Sequence, residues 1–169
     1  RFENISANLT REMGKPIGES RIELRVAIDL LRWYAEEGKR VYGRIIPSRF
    51  PNMQHEARKE PVGPVVAFVA WNFPATNTMR KVAGALAAGC SITIKPSEET
   101  PATAIAIGRA LTDAGLPDGV LNIVFGVPPE VSEHLLASPI PRKLSFTGSV
   151  PVGIHLQQLA ARNMIRCTM

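Results

Sequence analysis

The sequence predicts an α/β fold in which helices cover both faces of a parallel β-sheet. From residue 64 onward, short apolar segments rich in β-branched residues alternate with helical segments. The 169 residues include 13 glycines and 14 prolines, which suits a fold with many short connections. Hydrophobic residues make up 45% of the chain and charged residues 21%, as is typical of a globular domain rather than a disordered chain.

The first 38 residues predict helices. One helix is expected over residues 3–13, where a Gly-Lys-Pro sequence follows. A second is expected after Ser20, because Ser20 and Glu23 have the spacing of a capping box, in which each side chain bonds the other residue's backbone amide. Apolar side chains then recur at helical spacing, and Gly38 is the expected end of this helix.

Residues 39–63 are more polar and contain several prolines. Val41, Ile45 and Ile46 indicate a short strand that Pro47 is expected to break, and we predict an extended arm or hairpin here. The predicted organisation is therefore N-terminal helices at 1–38, the arm at 39–63 and an α/β region at 64–169.

Four strands and four helices are predicted in the α/β region. The strands are expected at 65–70, 91–94, 120–125 and 143–146. The helices are expected at 76–88, 101–114, 130–137 and either 153–162 or 150–162. The crossovers between parallel strands should be right-handed. Ligands of such sheets bind at the carboxyl ends of the strands, so the residues after each strand are the candidates for function.

Polar residues or glycine follow all four predicted strands. Asn72 comes after the first strand, Lys95 and Glu98 after the second, Gly126 after the third and Gly148 after the fourth. Because the carboxyl ends of parallel strands meet at one edge of the sheet, these residues predict the rim of a ligand pocket.

The turn after the fourth strand has features of a phosphate site. Gly148 would let a phosphate approach the backbone, and the free amides of the following helix would favour an anion. Ser149 is placed to cap that helix. Gly153 completes a GxxxxG pattern, which is neither GxGxxG nor a P-loop. A glycine needed only for a tight turn is the alternative interpretation.

Three further side chains allow two interpretations each. Lys95 has donors for ribose hydroxyls or phosphate, and Glu98 can accept from ribose hydroxyls. The alternative is a solvated lysine beside a glutamate that caps the next helix. The side-chain amide of Asn72 can stabilise a developing oxyanion, whereas the alternative is a turn residue before a Phe-Pro sequence.

Charge and composition argue against several other classes of protein. The net charge of +5 is spread along the chain without a run of five like charges, so no nucleic-acid partner is expected. No apolar stretch reaches the roughly 18 residues of a membrane span, and the N-terminal residues lack a signal-peptide pattern. Cys90 and Cys167 are far apart, which fits a reducing cytoplasm. No metal site is predicted, since ligand-like spacing is missing among the histidines: His55, His134 and His155.

Several separated motifs, in this order and spacing, resemble the aldehyde dehydrogenase superfamily. They are AWNFP after the first strand, ALAAGCSITIKPSEETP, GLPDGVLNIVFG and KLSFTGS. The stretches RVYGRIIP and TMRKVAGALAAG look closest to the succinate-semialdehyde dehydrogenase branch. The resemblance spans nearly the whole chain and is densest over residues 61–153.

This resemblance implies a Rossmann-like NAD(P)-binding domain, preceded by helices and an arm that contributes to oligomerisation. The implied reaction is the NAD(P)+-dependent oxidation of a small-molecule aldehyde, a semialdehyde being one option, to a carboxylic acid. In the family a cysteine attacks the aldehyde, hydride passes to the nicotinamide, and a glutamate activates the water that hydrolyses the thioester. The full-length protein is expected to be a homo-oligomer, either a dimer or a tetramer.

The resemblance also implies roles for individual residues. Asn72 matches the oxyanion-hole asparagine, which also borders the cofactor, and Trp71 matches a residue that lines the cofactor site. The other implied cofactor-binding residues are those of the adenosine-ribose segment, Lys95, Pro96, Ser97 and Glu98, and those of the pyrophosphate turn, Gly148, Ser149 and Gly153. Because the carboxylate of Glu98 should repel a 2′-phosphate, NAD is the expected cofactor, with NADP as the alternative.

Two departures from the family pattern are visible. Ala70 stands where the family usually has a proline, and neither Cys90 nor Cys167 matches the nucleophile. The motif that opens with the general-base glutamate would begin just after Met169. We therefore expect a segment of a longer dehydrogenase that is inactive alone. The alternatives are a non-catalytic nucleotide-binding or interaction module and a sibling acyl-CoA or acyl-phosphate reductase.

Overall fold

The computed structural model describes the whole chain, residues 1–169. The helices are α1 (Phe2–Met13), α2 (Ile17–Gly38), α3 (Pro74–Ala87), α4 (Pro101–Asp113), α5 (Pro128–Ala137) and α6 (Val150–Ala161). The strands are β1 (Arg44–Pro47), β2 (Gln54–Ala57), β3 (Val65–Val69), β4 (Ile92–Lys95), β5 (Leu121–Ile123), β6 (Lys143–Thr147) and β7 (Arg166–Thr168).

Five parallel strands form the central sheet in the order β5-β4-β3-β6-β7. The predicted α/β class is therefore confirmed. Phe68 near the end of β3 lies opposite Lys95 of β4 on one side and Phe146 of β6 on the other. The chain runs outward from β3 to β4 and β5 and then returns to the other side of β3 as β6. This reversal makes the carboxyl end of β3 the topological switch point of the sheet.

The fifth strand, β7, was not predicted. It is three residues long, and its single apolar side chain, Cys167, lies between Arg166 and Thr168. Such a segment carries no recognisable alternation, and it becomes a strand only because β6 offers a free edge beside it.

Hydrophobic cores lie on both faces of the sheet. Val66 and Phe68 of β3 pack with α5 and α6, whereas Val65, Ala67 and Val69 pack beneath α3. Every residue of β3 is buried, which explains its continuous apolar sequence.

The helices α1 and α2 form a hairpin that packs on α3 and α4. Ile5, Leu9 and Leu24 share a core cluster with Met79 of α3 and Ile107 of α4. The N-terminal helices thereby touch the two helices that follow the candidate site residues of β3 and β4.

The predicted capping box is wrong. Helix α2 begins at Ile17, directly after Pro16, so both Ser20 and Glu23 lie inside it. The Ser20 hydroxyl bonds the Thr10 hydroxyl at 2.8 Å instead. Glu23 points away from its own helix start towards α3. A Ser and a Glu three residues apart fit the capping-box pattern, but the same spacing also occurs inside a helix, where residues three apart lie on one face.

Strands β1 and β2 form an antiparallel hairpin within residues 39–63. Pro47 does not break β1 as expected but is its last residue, opposite Gln54. All eight residues of the two strands are exposed. An exposed two-stranded ribbon tolerates proline because its outer edge has no further strand to bond.

Candidate functional site

A cleft of about 290 Å³ opens at the carboxyl ends of β3, β4 and β6. Its walls come from the end of β3, the segment after β4, the first turns of α5 and the turn between β6 and α6. The predicted site residues that line it are Lys95, Ser97, Glu98, Gly148 and Ser149. The topology thus brings three strand ends into one cleft at the switch point, and the candidate residues that follow two of them, β4 and β6, line it.

The remaining candidates lie outside this lining. Pro96 and Gly153 are buried, whereas Trp71 and Asn72 are exposed on the β3–α3 turn. Gly126, which follows β5, does not line the cleft either. Residues of α5 and α6 that were not singled out from the sequence do line it, among them Ser132 and His155.

Lys95 and Glu98 form an ion pair in the cleft. The Nζ of Lys95, which is 5% exposed, donates to Oε2 of Glu98 at 2.5 Å and to the carbonyl oxygen of Pro96 at 3.3 Å. Lys95 is therefore not the solvated lysine of the alternative interpretation. Glu98 does not cap α4 either, because the first-turn amides of that helix bond Glu12.

The charge state of Glu98 follows from its surroundings. Desolvation raises the pKa of Glu98, but the hydrogen bond from Lys95, a hydrogen bond from the backbone amide of Glu98 and the positive charge of Lys95 together outweigh it, and the net pKa lies below its ordinary value. Half of the Glu98 side chain remains exposed to the cleft. The site therefore presents a carboxylate as an acceptor for hydroxyl groups at neutral pH.

The turn between β6 and α6 is shaped by Phe146. Gly148 does not have a left-handed conformation, so the turn itself does not require glycine. A Cβ atom at Gly148 would instead collide with the Phe146 ring, and one at Gly153 would lie 3.3 Å from it. Ser149 occupies the N-cap position of α6, but its side chain makes no capping hydrogen bond, so that detail of the prediction is wrong.

Asn72 lies on the turn that joins β3 to α3. Its Oδ1 accepts a hydrogen bond from Nδ2 of Asn77 at 3.3 Å, while its own NH2 group has no partner within the chain. Asn77 is buried and also donates to the carbonyl oxygen of Ala70 at 3.5 Å. The Asn72 side chain is thus oriented with its donors free, which is the arrangement that an oxyanion hole requires.

A second cleft, of about 490 Å³, lies beside this turn between α2 and α3. Phe73 and Asn77, which flank and bond Asn72, form part of its wall, together with Ile22 and Arg80. Arg80 is exposed and forms no ion pair within the chain. The cleft therefore offers one free cation close to the Asn72 turn, and its wall also contains one carboxylate without an ion-pair partner, that of Glu19.

Sequence reasoning did not single out Lys81, the next residue of α3. Its Nζ donates to the carbonyl oxygen of Phe146 at 3.2 Å, directly before the β6–α6 turn. Burial lowers the pKa of Lys81, and the charges of Arg80 and Lys143 lower it further. A second basic residue directly after Arg80, at the point where the apolar half of α3 begins, was the signal that could have identified it.

The remaining reactive side chains do not form a second site. Cys90 is buried, and burial raises the pKa of the Cys167 thiol against a smaller opposite effect of Lys143, which disfavours the thiolate. No group of three or more His, Cys, Asp or Glu side chains is arranged to hold a metal ion. None of the helices has the length and apolar character to cross a membrane.

The lining of the first cleft suits the ribose and phosphate groups of a nucleotide. The buried ammonium of Lys95 and the carboxylate of Glu98 suit ribose hydroxyls. The glycine at position 148 keeps the backbone accessible at the N-terminus of α6, where unpaired amides favour a phosphate.

Comparisons with known proteins agree with this geometry. The model of the aldehyde dehydrogenase family matches residues 1–169. The chain is 54% identical over 167 residues to a 4-(hydroxymethyl)benzenesulfonate dehydrogenase of Comamonas testosteroni, covering 99% of this chain and 35% of that protein. It is 38% identical over 167 residues to the NADP(+) succinate-semialdehyde dehydrogenase of Escherichia coli, again covering 99% of this chain and 35% of that protein.

The solved structures include an NAD-dependent aldehyde dehydrogenase from Sinorhizobium meliloti. Its TM-score is 0.96 at 34% identity, and the match covers 99% of this chain and 33% of that one. The chain thus spans about a third of the length of the relatives it matches.

Proposed function

Because this chain belongs to the aldehyde dehydrogenase family, we propose that it is the cofactor-binding part of an enzyme that oxidises an aldehyde to a carboxylic acid with NAD(P)+. The observation that carries this proposal is the cleft at the switch point of the sheet, which is lined both by the ion pair of buried Lys95 with half-exposed Glu98 and by the Gly148–Ser149 turn. The full reaction proceeds through a thioester in the longer protein, and we expect the isolated chain to be inactive.

In this proposal, residues of this chain bind the dinucleotide. The nicotinamide of the bound dinucleotide accepts the hydride. Glu98 accepts from the adenosine-ribose hydroxyls and Lys95 donates to them. The amides at the start of α6, beside Gly148 and Ser149, bind the pyrophosphate. The negative charge of Glu98 disfavours a 2′-phosphate, so we propose NAD as the preferred cofactor.

Asn72 supplies the oxyanion donor in this proposal. Its NH2 group has no partner within the chain, and Asn77 fixes the other side of the amide. A preorganised donor of this kind acts on the oxygen that gains negative charge as the aldehyde carbonyl is attacked. Trp71, on the same exposed turn, is proposed to border the cofactor.

We propose an anionic aldehyde as the substrate. Arg80 has no internal ion-pair partner and lines the second cleft beside the Asn72 turn. The two relatives named above are a benzenesulfonate dehydrogenase and a succinate-semialdehyde dehydrogenase, and both names specify an acidic group on the substrate. An arginine in this cleft would pair with a carboxylate or sulfonate at the far end of the aldehyde.

The exposed β1–β2 hairpin is the proposed oligomerisation arm of the full-length protein. Ile45 is 72% exposed and Ile46 is 45% exposed, on a ribbon whose edges have no further strand. A second subunit would cover these side chains and pair with the free edge. We propose a cytoplasmic homo-oligomer, a dimer or tetramer, without nucleic-acid or membrane partners.

The test uses the full-length protein that contains this chain. We expect NADH formation with ω-carboxylated or sulfonated aldehydes and little with neutral aldehydes of the same length. Asn72→Ala should lower kcat by about 10²- to 10³-fold. Asn122→Ala is the matched control, because Asn122 is exposed on edge strand β5 and should change kcat less than about twofold. An unchanged kcat in Asn72→Ala, or a reaction that requires coenzyme A, would reject the proposal.

A further inference from the structure

Two charged side chains of the N-terminal helices are buried next to the Asn72 turn. Lys15, in the connection between α1 and α2, and Glu23, in α2, form an ion pair whose side chains are only 8% and 3% exposed. Burying two charges is unfavourable unless each has further partners. The partners of this pair belong to the turn that carries Asn72 and to the helix that follows it.

Glu23 bonds the start of α3. Its Oε1 accepts hydrogen bonds from the backbone amides of Ala75 and Thr76, at 2.8 and 3.2 Å. The N-cap residue of α3, Phe73, provides no side-chain cap of its own. A carboxylate from α2 therefore satisfies the first-turn amides of α3 and places a negative charge at its N-terminus, where the helix dipole favours it.

Lys15 holds the preceding part of the same turn. Its Nζ donates to the carbonyl oxygen of Asn72 at 3.3 Å and lies 4.3 Å from the centre of the Phe73 ring. The ion pair thus fixes the backbone immediately at Asn72 and the amides three and four residues later. Asn77, which orients the Asn72 side chain, belongs to the first turn of the same helix.

We propose that Lys15 and Glu23 are positioning residues, which hold the Asn72 turn and the start of α3 so that the free NH2 group of Asn72 faces the developing oxyanion. This inference rests on the proposed function of Asn72. A donor displaced by about 1 Å loses up to about 100-fold in rate. The α1–α2 hairpin, whose side chains also line the second cleft, therefore acts on the rate through the position of Asn72.

The first experiment measures kinetics in the full-length protein. Glu23→Gln removes the charge while it keeps the shape of the side chain. We expect kcat to fall about 10- to 100-fold, with the KM for NAD changed less than about twofold. An unchanged kcat would overturn the inference.

Glu12 offers a matched control. Its carboxylate accepts from the amides of Ala102 and Thr103 at the start of α4, which makes it the counterpart of Glu23 on the neighbouring helix. Glu12→Gln should lower the thermal stability to a similar degree but leave kcat at saturating NAD within about twofold, because α4 does not carry Asn72. An equal loss of kcat in both variants would indicate a merely structural role for Glu23.

A double-mutant cycle shows whether Glu23 acts through Asn72. In the Asn72→Ala background, Glu23→Gln should lower kcat no further, since the group that it positions is already gone. Full additivity of the two losses would overturn the inference. If Asn72→Ala itself leaves kcat unchanged, the proposed function fails rather than this inference alone.

A second variant and a second measurement cover the case in which Glu23→Gln does not fold. Lys15→Met combined with Glu23→Leu leaves no unpaired buried charge, so the fold should persist while the contacts to the turn are lost. Amide hydrogen exchange at Ala75 and Thr76 should then accelerate at least about tenfold, and kcat should fall as in Glu23→Gln. Unchanged exchange, or accelerated exchange with unchanged kcat, would contradict the role proposed for the pair.

Discussion

Glu98 combines two properties that suit the nucleotide site proposed here. Lys95 keeps its carboxylate charged, and half of the side chain remains open to the cleft. A lysine bound in this way is not free to neutralise an additional phosphate. The selectivity of the site for one dinucleotide over the other should therefore depend largely on the charge at position 98.

We expect Glu98→Ser in the full-length protein to raise the ratio of kcat/KM for NADP+ over NAD+ by at least about tenfold, the factor that corresponds to about 1.4 kcal/mol. The substitution removes the repulsion of a 2′-phosphate and frees Lys95 to bind it. Steady-state kinetics with both dinucleotides measure the ratio. Glu99→Ser is the control, since the exposed side chain of Glu99 makes no hydrogen bond and should leave the ratio unchanged. A constant ratio in Glu98→Ser would rule out the carboxylate as the discriminating group.

Gly148 is constrained by the aromatic ring beneath it. A methyl group at this position would overlap the Phe146 ring, which is itself fixed in the core between β6 and α6. We expect Gly148→Ala to destabilise the protein by about 1–3 kcal/mol, measured by denaturant unfolding, and to weaken NAD binding. Gly18→Ala places the same methyl group in open space within α2 and should not destabilise. Equal free energies of unfolding for the two variants would show that the Phe146 ring can move aside without destabilising the protein.

Among the helices, α3 and α4 have their first-turn backbone amides bonded by side chains from another part of the chain. Both begin with proline and lack a side-chain cap from their own N-cap residue. Glu23 bonds the first-turn amides of α3, and Glu12 bonds those of α4. The α1–α2 hairpin therefore caps both helices from outside, and its docking is coupled to the geometry of the turns that precede them.

Loss of this external cap should be measurable at α4. We expect Glu12→Ala to lower the free energy of unfolding by about 1–3 kcal/mol, because the part-buried amides of Ala102 and Thr103 lose a charged acceptor. Denaturant unfolding measures the change. Glu3→Ala breaks only the exposed Glu3–Arg21 pair and should cost less than about 1 kcal/mol. Equal costs for the two variants would contradict a special role of the Glu12 cap.

For the whole molecule, the β1–β2 hairpin stands out because its apolar side chains have no cover within the chain. We expect Ile45→Glu to lower the mass of the full-length protein's oligomer, as measured by size-exclusion chromatography with light scattering. A charge in the subunit interface would be buried without a partner. Ile140→Glu is the control, since Ile140 is 66% exposed, close to the 72% of Ile45, but lies outside the hairpin. An unchanged mass in Ile45→Glu would remove the hairpin from the interface.

Much of the fold could be predicted from local sequence. β-branched apolar runs identified β3 and β4, because strands buried on both faces need continuous apolar sequence. In β6 only Leu144 and Phe146 are apolar, in alternation with polar residues, and its place in the series of strands and helices identified it and the parallel sheet. The same reasoning located the strand ends, and with them Lys95, Glu98 and Gly148 at the cleft. Helix starts were less accurate: α3 and α5 begin at prolines two residues before the predicted positions.

Contacts between distant parts of the chain could not be predicted in this way. The spacing of Ser20 and Glu23 suggested a local cap, but the partner of Glu23 lies 52 residues away at Ala75. Asn77 and Lys81 gave no local signal either, since their roles depend on which carbonyl and side-chain atoms the fold brings to them.

The sequence by itself determined the α/β class, the order of the main elements and the family motifs at the strand ends. Burial and periodicity are local properties, so a pattern of residue types is sufficient to encode them. Only the tertiary structure decided that a buried ion pair from the N-terminal helices contacts the Asn72 turn and that Phe146 requires a glycine at position 148. The first feature joins residues 57 positions apart in the chain, and the second depends on where core packing holds the Phe146 ring. A local pattern of residue types encodes neither of them.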